Sequence, residues 1–264
     1  MKQKLIDYDT VKNYWDSSFA GDFNYREGYK IDDEKFALLR FKTEVTAIKK
    51  ILKKNFRNAP PKTRPSSLFL DVGCGNGKFS FYFSNWFKKT IGIDFSKKSI
   101  GIAKKEALRR KIKNAAFYCA DVKKLNLNQK FEVIFIGGVL MYINDKDLPL
   151  VLAALKKHLA KGGLLILREP FFKNRTLIKN GKYPVIYRSL KNFVKKLQQE
   201  KFKIINLKLN EGYNNGIITD FYLRFLPKRI VFDLLAKPKF LKLNHSILKN
   251  WIRCKGYFVV VKKQ

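Results

Sequence analysis

The stretch LFLDVGCGNGKF, residues 68–79, constrains this chain more than any other. A short, mostly apolar run, Leu68–Val72, leads into Gly73-Cys74-Gly75-Asn76-Gly77, and a helix-compatible run follows. A buried strand that ends in a glycine-rich turn lets bare backbone approach a ligand. Alone, such a turn is weak evidence. It gains weight from two acids downstream. Asp94 closes the apolar run at 90–94, nineteen residues after Gly75. Asp121 follows a third apolar run, Ala115–Cys119. Together with Asp71, these acids stand at the C-terminal ends of three successive strands. Open α/β sheets bind their ligands at that edge.

The rest of the chain fits the same plan. Helical periodicity is expected over 78–87, 99–112 and 148–159, and a fourth strand over 133–137. The turn Lys161-Gly162-Gly163 should close the helix at 148–159 before a fifth strand at 164–167, stopped by Pro170. A helix at 189–200, a strand at 202–209 and a last strand at 257–261 complete the set. Alternating strands and helices imply a parallel sheet covered on both faces. Apolar residues at 38, 41, 45, 48 and 52 predict an N-terminal helix, and Tyr14, Trp15 and Phe19 an apolar stripe before it. The organisation expected is an N-terminal helical cap (1–57), a proline-bearing linker (58–67) and a core (68–264) carrying a basic, apolar insertion (210–254).

The chain has 264 residues, 46% of them hydrophobic, which is enough for a substantial core. Its three cysteines show neither metal-ligand spacing nor a disulfide framework. With no signal-like leader, a cytoplasmic protein is expected. The formal net charge is +35, and residues 171–264 hold 22 Lys and Arg against 4 acids. Such a field attracts anionic partners: RNA, a phosphorylated carrier, or an anionic membrane surface, the last implying peripheral association at the inner membrane face.

On these residues the chain resembles the class I S-adenosylmethionine-dependent methyltransferases over about 68–167, with weaker echoes beyond. The motif at 71–77 looks like the family's first motif. The resemblance implies a Rossmann-like, seven-stranded, mostly parallel sheet with an antiparallel last strand inserted between the fifth and sixth. It implies S-adenosylmethionine as cofactor, held by Asp71, Gly73, Cys74, Gly75 and Gly77 around the methionine part, Asp94 and Phe95 at the ribose, Asp121 and Val122 at the adenine, and Gly137 near the methyl group. The rival, a nicotinamide dehydrogenase, requires a third glycine where Lys78 stands.

The sequence after the fourth strand, Gly137-Gly138-Val139-Leu140-Met141-Tyr142, lacks the (Asp/Asn)-Pro-Pro-aromatic pattern of base-amine methylation. Tyr142 and Glu169, past the fourth and fifth strands, are the candidate catalytic groups. A salt bridge from Glu169 to Arg168 or a lysine is the competing expectation. His158 is expected as a helix-end cation, and Arg40 with Glu44 as an exposed i,i+4 pair. The acceptor expected is an anionic small molecule or a carrier-linked group such as a sugar or phosphorylated glycan. The alternatives are an RNA or ribosomal methyltransferase, an enzyme like the protein N-terminal methyltransferases, and a cofactor-binding scaffold without activity.

Overall fold

A computed structural model describes residues 5–18, 34–56, 67–172, 175–210, 230 and 254–264. Helix α1 (Tyr8–Ser18) and helix α2 (Glu34–Asn55) precede the sheet. The core then alternates: β1 (Leu68–Val72), α3 (Lys78–Ser84), β2 (Lys89–Asp94), α4 (Lys97–Arg109), β3 (Ala115–Cys119), β4 (Phe131–Gly137), α5 (Leu148–His158) and β5 (Leu159–Phe172). A hairpin of β6 (Leu177–Lys179) and β7 (Val185–Tyr187) leads into α6 (Leu190–Gln199), β8 (Phe202–Leu209) and β9 (Cys254–Lys263).

The seven-stranded sheet has the order β3-β2-β1-β4-β5-β9-β8. Its first five strands pair in parallel, and β9 runs antiparallel between β5 and β8. The central strands are apolar on both faces because each face is covered. On one side Leu70, Ile134, Leu165 and Val259 pack with Leu152 and Leu155 of α5 and Phe193 of α6. On the other, Phe69, Val133, Phe135 and Ile166 meet Ile48 and Leu52 of α2 and Phe83 of α3. Burying one such side chain stabilises by about 1.5–3 kcal/mol, so the helical spacing of α2 is what holds it on the sheet.

Two local expectations are corrected, and one element is added. Pro170 does not stop β5: it pairs with Gly256 of β9, beyond the last β4 partner pair, Gly137 with Arg168. On the β4 side no ladder bond is required there, so a missing N–H is tolerated. Lys161-Gly162-Gly163 lies within β5, at a register irregularity opposite 131–133, with Gly162 at φ +73°. The residues between β5 and α6 form the β6–β7 hairpin, too short to show alternation in sequence. Phe19, residues 57–66 (the linker at 58–67 except Ser67) and almost all of the basic insertion lie outside the described residues.

Candidate functional site

The C-terminal ends of β1, β2, β3, β4 and β5 open onto one cavity of about 1060 Å³. This is where the strand order reverses between β1 and β4, the usual ligand crevice of an open α/β sheet. Asp71, Gly73, Cys74, Gly75, Asp94, Phe95, Asp121, Val122, Gly137, Tyr142 and Glu169 all line it. Gly77 does not line it: at φ +88° it caps the start of α3, where a Cβ would lie 2.9 Å from Phe117 and Phe81.

The glycine turn is held from both sides. The Gly73 and Cys74 amides donate to the Ile93 carbonyl at 2.8 and 3.0 Å. Gly73 sits at φ +69°, and a Cβ there would be 2.1 Å from Val139 Cγ2, so only glycine lets the segment after β4 close on the turn. Asp94 accepts from the Gly75 amide through Oδ2 and from the Ser96 amide through Oδ1, both at 2.9 Å. Burial pushes the Asp94 carboxyl above its ordinary value, against those two amide bonds. Asp71 is buried and accepts from Ser80 Oγ at 2.7 Å. Asp121 accepts from the Lys123 amide at 2.9 Å and caps the short 3₁₀ turn Val122–Lys124.

Glu169 is 4% exposed. Its Oε1 accepts from the Val139 and Leu140 amides, each at 3.0 Å. Its Oε2 is buried with no hydrogen-bond partner among the described residues. Burial raises its pKa to about 7, in spite of the two amides and of Arg168 and Arg188. The salt bridge expected from Arg168 goes elsewhere: Arg168 Nη1 donates to Glu44 Oε2 at 2.7 Å and Nη2 to the Gly137 carbonyl at 3.0 Å. Arg40 and Glu44 are therefore not an exposed pair. Glu44 is fully buried and also accepts from Arg40 Nε at 3.1 Å and Asn210 Nδ2 at 2.7 Å. Burial alone would raise the Glu44 pKa; Arg168 and Arg40 outweigh it and hold the carboxyl low.

Around Glu169 the cavity wall is aromatic. Tyr142 and Tyr183 share a hydrogen bond of 2.5 Å. Trp15 of α1 meets Tyr142 edge-on at 5.7 Å, and Tyr14 lies 4.7 Å from Tyr183. Burial drives both bonded phenols above the ordinary tyrosine pKa, so Tyr142 holds its proton at neutral pH. Arg188, one of the few polar candidates the sequence offers after the fifth strand, is the residue that fixes this wall. It donates to the Leu140 carbonyl and Asp145 Oδ1, at 2.6 and 2.7 Å, and to the Ile143 carbonyl. One arginine before a helix cap carries no local signal of such a role.

Helix α1 straps the cavity's side. Tyr8 Oη donates to Asp147 Oδ2 at 2.5 Å and accepts from the Asn144 amide at 2.9 Å. Asn144 exchanges two further bonds with the Ile6 backbone. At the other end Ser96 Oγ donates to Asp16 Oδ1 at 2.5 Å. His158 sits in the last turn of α5 and does not line the cavity. It is buried, accepts from the Leu127 amide through Nε2 at 2.8 Å, and contacts the Ala154 carbonyl through Nδ1 at 2.7 Å.

A methyltransferase-domain family profile matches residues 65–214. Among relatives, malonyl-[acyl-carrier protein] O-methyltransferase of Bacillus anthracis is 35% identical over 99 residues, 37% of this chain and 35% of that protein. Phosphoethanolamine N-methyltransferase 1 of Arabidopsis thaliana is 29% identical over 133 residues, 49% of this chain and 27% of that protein. The chain thus spans only about a quarter to a third of the length of these two relatives. Magnesium protoporphyrin IX methyltransferase from Synechocystis, solved with bound cofactor, superposes over 100% of both chains at TM-score 0.60 and 15% identity. Geranyl diphosphate C-methyltransferase from Streptomyces coelicolor superposes over 97% of this chain and 98% of that one, at TM-score 0.65 and 12% identity. These structural likenesses carry the fold, and the profile carries the family. With the sheet order, the glycine turn and the acids at the strand ends, they make the chain a member of the S-adenosylmethionine-dependent class I methyltransferases.

Proposed function

We propose that this enzyme methylates a small or carrier-linked acceptor, such as a sugar or phosphorylated glycan, that enters the aromatic end of the cavity, and that Glu169 takes the acceptor's proton. The observation that carries the proposal is the buried, unpartnered Oε2 of Glu169 on the cavity wall. A carboxyl with a pKa of about 7 is matched to proton transfer at neutral pH.

The cofactor fits the residues present. Side-chain-free backbone at Gly73 and Gly75 leaves room beside Asp71 for an amino-acid moiety. Asp94 at the end of β2 is placed to accept from ribose hydroxyls, and Asp121 and Val122 to meet a base, with Phe95 as an apolar neighbour. When bound, S-adenosylmethionine supplies an electrophilic methyl group. The protein's part is positioning: an acceptor hydroxyl that donates to Glu169 Oε2 points its lone pair away from the carboxylate while Tyr142 and Tyr183 confine its body. Glu169 keeps the proton as the acceptor oxygen gains its methyl, and releases it to solvent with product.

The relatives' names agree with a small group as acceptor: an acyl unit on a carrier protein in one, a phosphorylated amine in another. Among the described residues, five cations and five acids line the cavity, in a very basic protein. Calorimetry with S-adenosylhomocysteine tests the cofactor half. Affinity in the micromolar range or tighter is expected, on the order of −8 kcal/mol. Asp94→Ala should cost about 1.5–3 kcal/mol through lost charge-assisted bonds. An unchanged affinity in Asp94→Ala would move the ribose site elsewhere.

A further inference from the structure

Two phenols meet at the aromatic end of the cavity: Tyr142 from the turn after β4, and Tyr183 from the loop of the β6–β7 hairpin. Their hydroxyls are 2.5 Å apart, and each is the other's hydrogen-bond partner. A phenol carries one proton and can both donate and accept. A bond between two phenols therefore uses one of their two protons, and the other points elsewhere.

Burial decides which phenol keeps the spare proton. Tyr142 is 7% exposed, Trp15 stands edge-on to its ring, and its hydroxyl has no partner besides Tyr183 among the described residues. If Tyr183 donated, the Tyr142 proton would be buried in that wall without an acceptor, which is the costly arrangement. If Tyr142 donates, the spare proton belongs to Tyr183, which is partly exposed and lines the cavity. The shifts of the two groups agree. Burial raises both, and their mutual bond raises Tyr142 further while it lowers Tyr183, as follows when Tyr142 is the donor. A hydroxyl that accepts a hydrogen bond is also polarised into a stronger donor.

The hairpin holds this donor in place. Pro184 follows Tyr183 and biases its backbone to extended conformations. Val185 and Ile186 beyond it are buried in one cluster with Val11 of α1 and Met141. The Phe172 amide ties the end of the hairpin to β5 by donating to the Arg188 carbonyl at 2.8 Å. Glu169 lies within electrostatic reach of Tyr183, because its charge adds to the effect of burial in raising that phenol. Yet Glu169 Oε2 has no hydrogen-bond partner among the described residues, so the two groups are not bonded to each other. One cavity wall thus presents an unused acceptor and a spare donor to the same space.

We infer that Tyr183 is a specificity-determining residue of the acceptor site: its hydroxyl, set by Tyr142, donates to a second oxygen of the acceptor while the reacting hydroxyl donates to Glu169 Oε2. The acceptor is then polyoxygenated, a sugar, polyol or hydroxy-carbonyl compound, and not a simple alcohol. This rests on the reading of Glu169 as the group that takes the acceptor's proton. Tyr183 transfers no proton and forms no covalent bond. It fixes the acceptor's rotation about the reacting oxygen, which a single hydrogen bond to Glu169 leaves open. Tyr142 is a positioning residue that acts through Tyr183.

The test has two arms on the full chain, each run on the unaltered protein, Tyr183→Phe and Tyr142→Phe. The first loads the protein with S-adenosylhomocysteine and follows hydroxyl exchange by NMR of ring-labelled tyrosine in mixed light and heavy water, the two variants assigning the signals. The Tyr142 hydroxyl should exchange slowly and the Tyr183 hydroxyl fast, with the protection of Tyr142 lost in Tyr183→Phe. The reverse order, or fast exchange at both, overturns the inference. The second measures transfer from methyl-labelled S-adenosylmethionine to a serially diluted, nuclease-treated small-molecule and carrier fraction of a cell extract. Tyr183→Phe should raise the half-saturating amount of that fraction about three- to tenfold, and Tyr142→Phe should raise it by less. Half-saturation unmoved by Tyr183→Phe overturns the inference and leaves methyl transfer standing. No transfer by the unaltered protein overturns the methyl-transfer reading itself, while the exchange rates still decide the phenol pair. S-adenosylhomocysteine affinity should be equal in the three proteins; its loss in Tyr183→Phe would assign that residue a structural role and overturn the inference.

Discussion

At the scale of single residues, Glu169 and Glu44 are two buried carboxylates with opposite fates. Glu169 is raised to about 7 from an ordinary 4.5 because burial outweighs its two amide donors. Its folded pKa exceeds its unfolded one, so its contribution to stability is fully present below about 4.5 and is lost as pH rises through about 7. The shift corresponds to something on the order of 3 kcal/mol. Glu169→Gln should therefore flatten the fall in stability between those pH values, measured by urea unfolding at a series of pH. It should also cut turnover about 10²–10⁴-fold for a hydroxyl acceptor while leaving S-adenosylhomocysteine affinity nearly intact. Tyr142→Phe should cost far less, since its buried phenol does not ionise at neutral pH. These roles were half legible. Tyr142 does lie past β4, as the apolar runs indicated, whereas Glu169 lies within β5, paired with Tyr257 beyond the last β4 partner. The state of Glu169 was not legible, because it depends on burial, set against amides about thirty residues away in sequence.

At the scale of elements, α2 is tied to the sheet by Glu44, which meets Arg168 across 124 residues of chain. No periodicity within α2 reports such a pairing, and the spacing of Arg40 and Glu44 suggests only a surface pair. Glu44→Ala leaves a buried guanidinium uncompensated, so a loss of about 3–5 kcal/mol is expected in chemical unfolding. The Glu44 carboxyl is held low, so the stability it provides is present above its ordinary pKa and lost as pH falls through the folded value. Helix α1 makes a different kind of attachment: Tyr8 on Asp147 and Asp16 on Ser96, at its two ends. The double variant Tyr8→Phe, Asp16→Asn should speed S-adenosylhomocysteine release severalfold in stopped-flow, with smaller effects on global stability. An unaltered release rate would show that α1 does not control access. The core strands were readable because buried parallel strands are continuous apolar runs. The hairpin at 177–187 and the passage of β5 through Pro170 were not, since both depend on which neighbour each strand edge meets.

At the scale of the whole molecule, the sheet supplies a ligand crevice where its strand order reverses, the glycine turn and strand-end acids give that crevice a nucleoside end, and the tyrosines with Glu169 give it a reactive end. No helix among the described residues is long and apolar enough to cross a membrane. Net charge of this size does raise encounter with every polyanion, and that attraction falls steeply with salt. Specific transfer must then be told apart from sticking. The most direct measurement incubates the purified enzyme with methyl-labelled S-adenosylmethionine and a cell extract at physiological salt, with and without nuclease, and follows the label by size fractionation. The account predicts label in a small-molecule or carrier fraction, unaffected by nuclease, strongly reduced by Asp94→Ala and by Glu169→Gln. Label confined to RNA and released by nuclease, or undiminished in both variants, would contradict it.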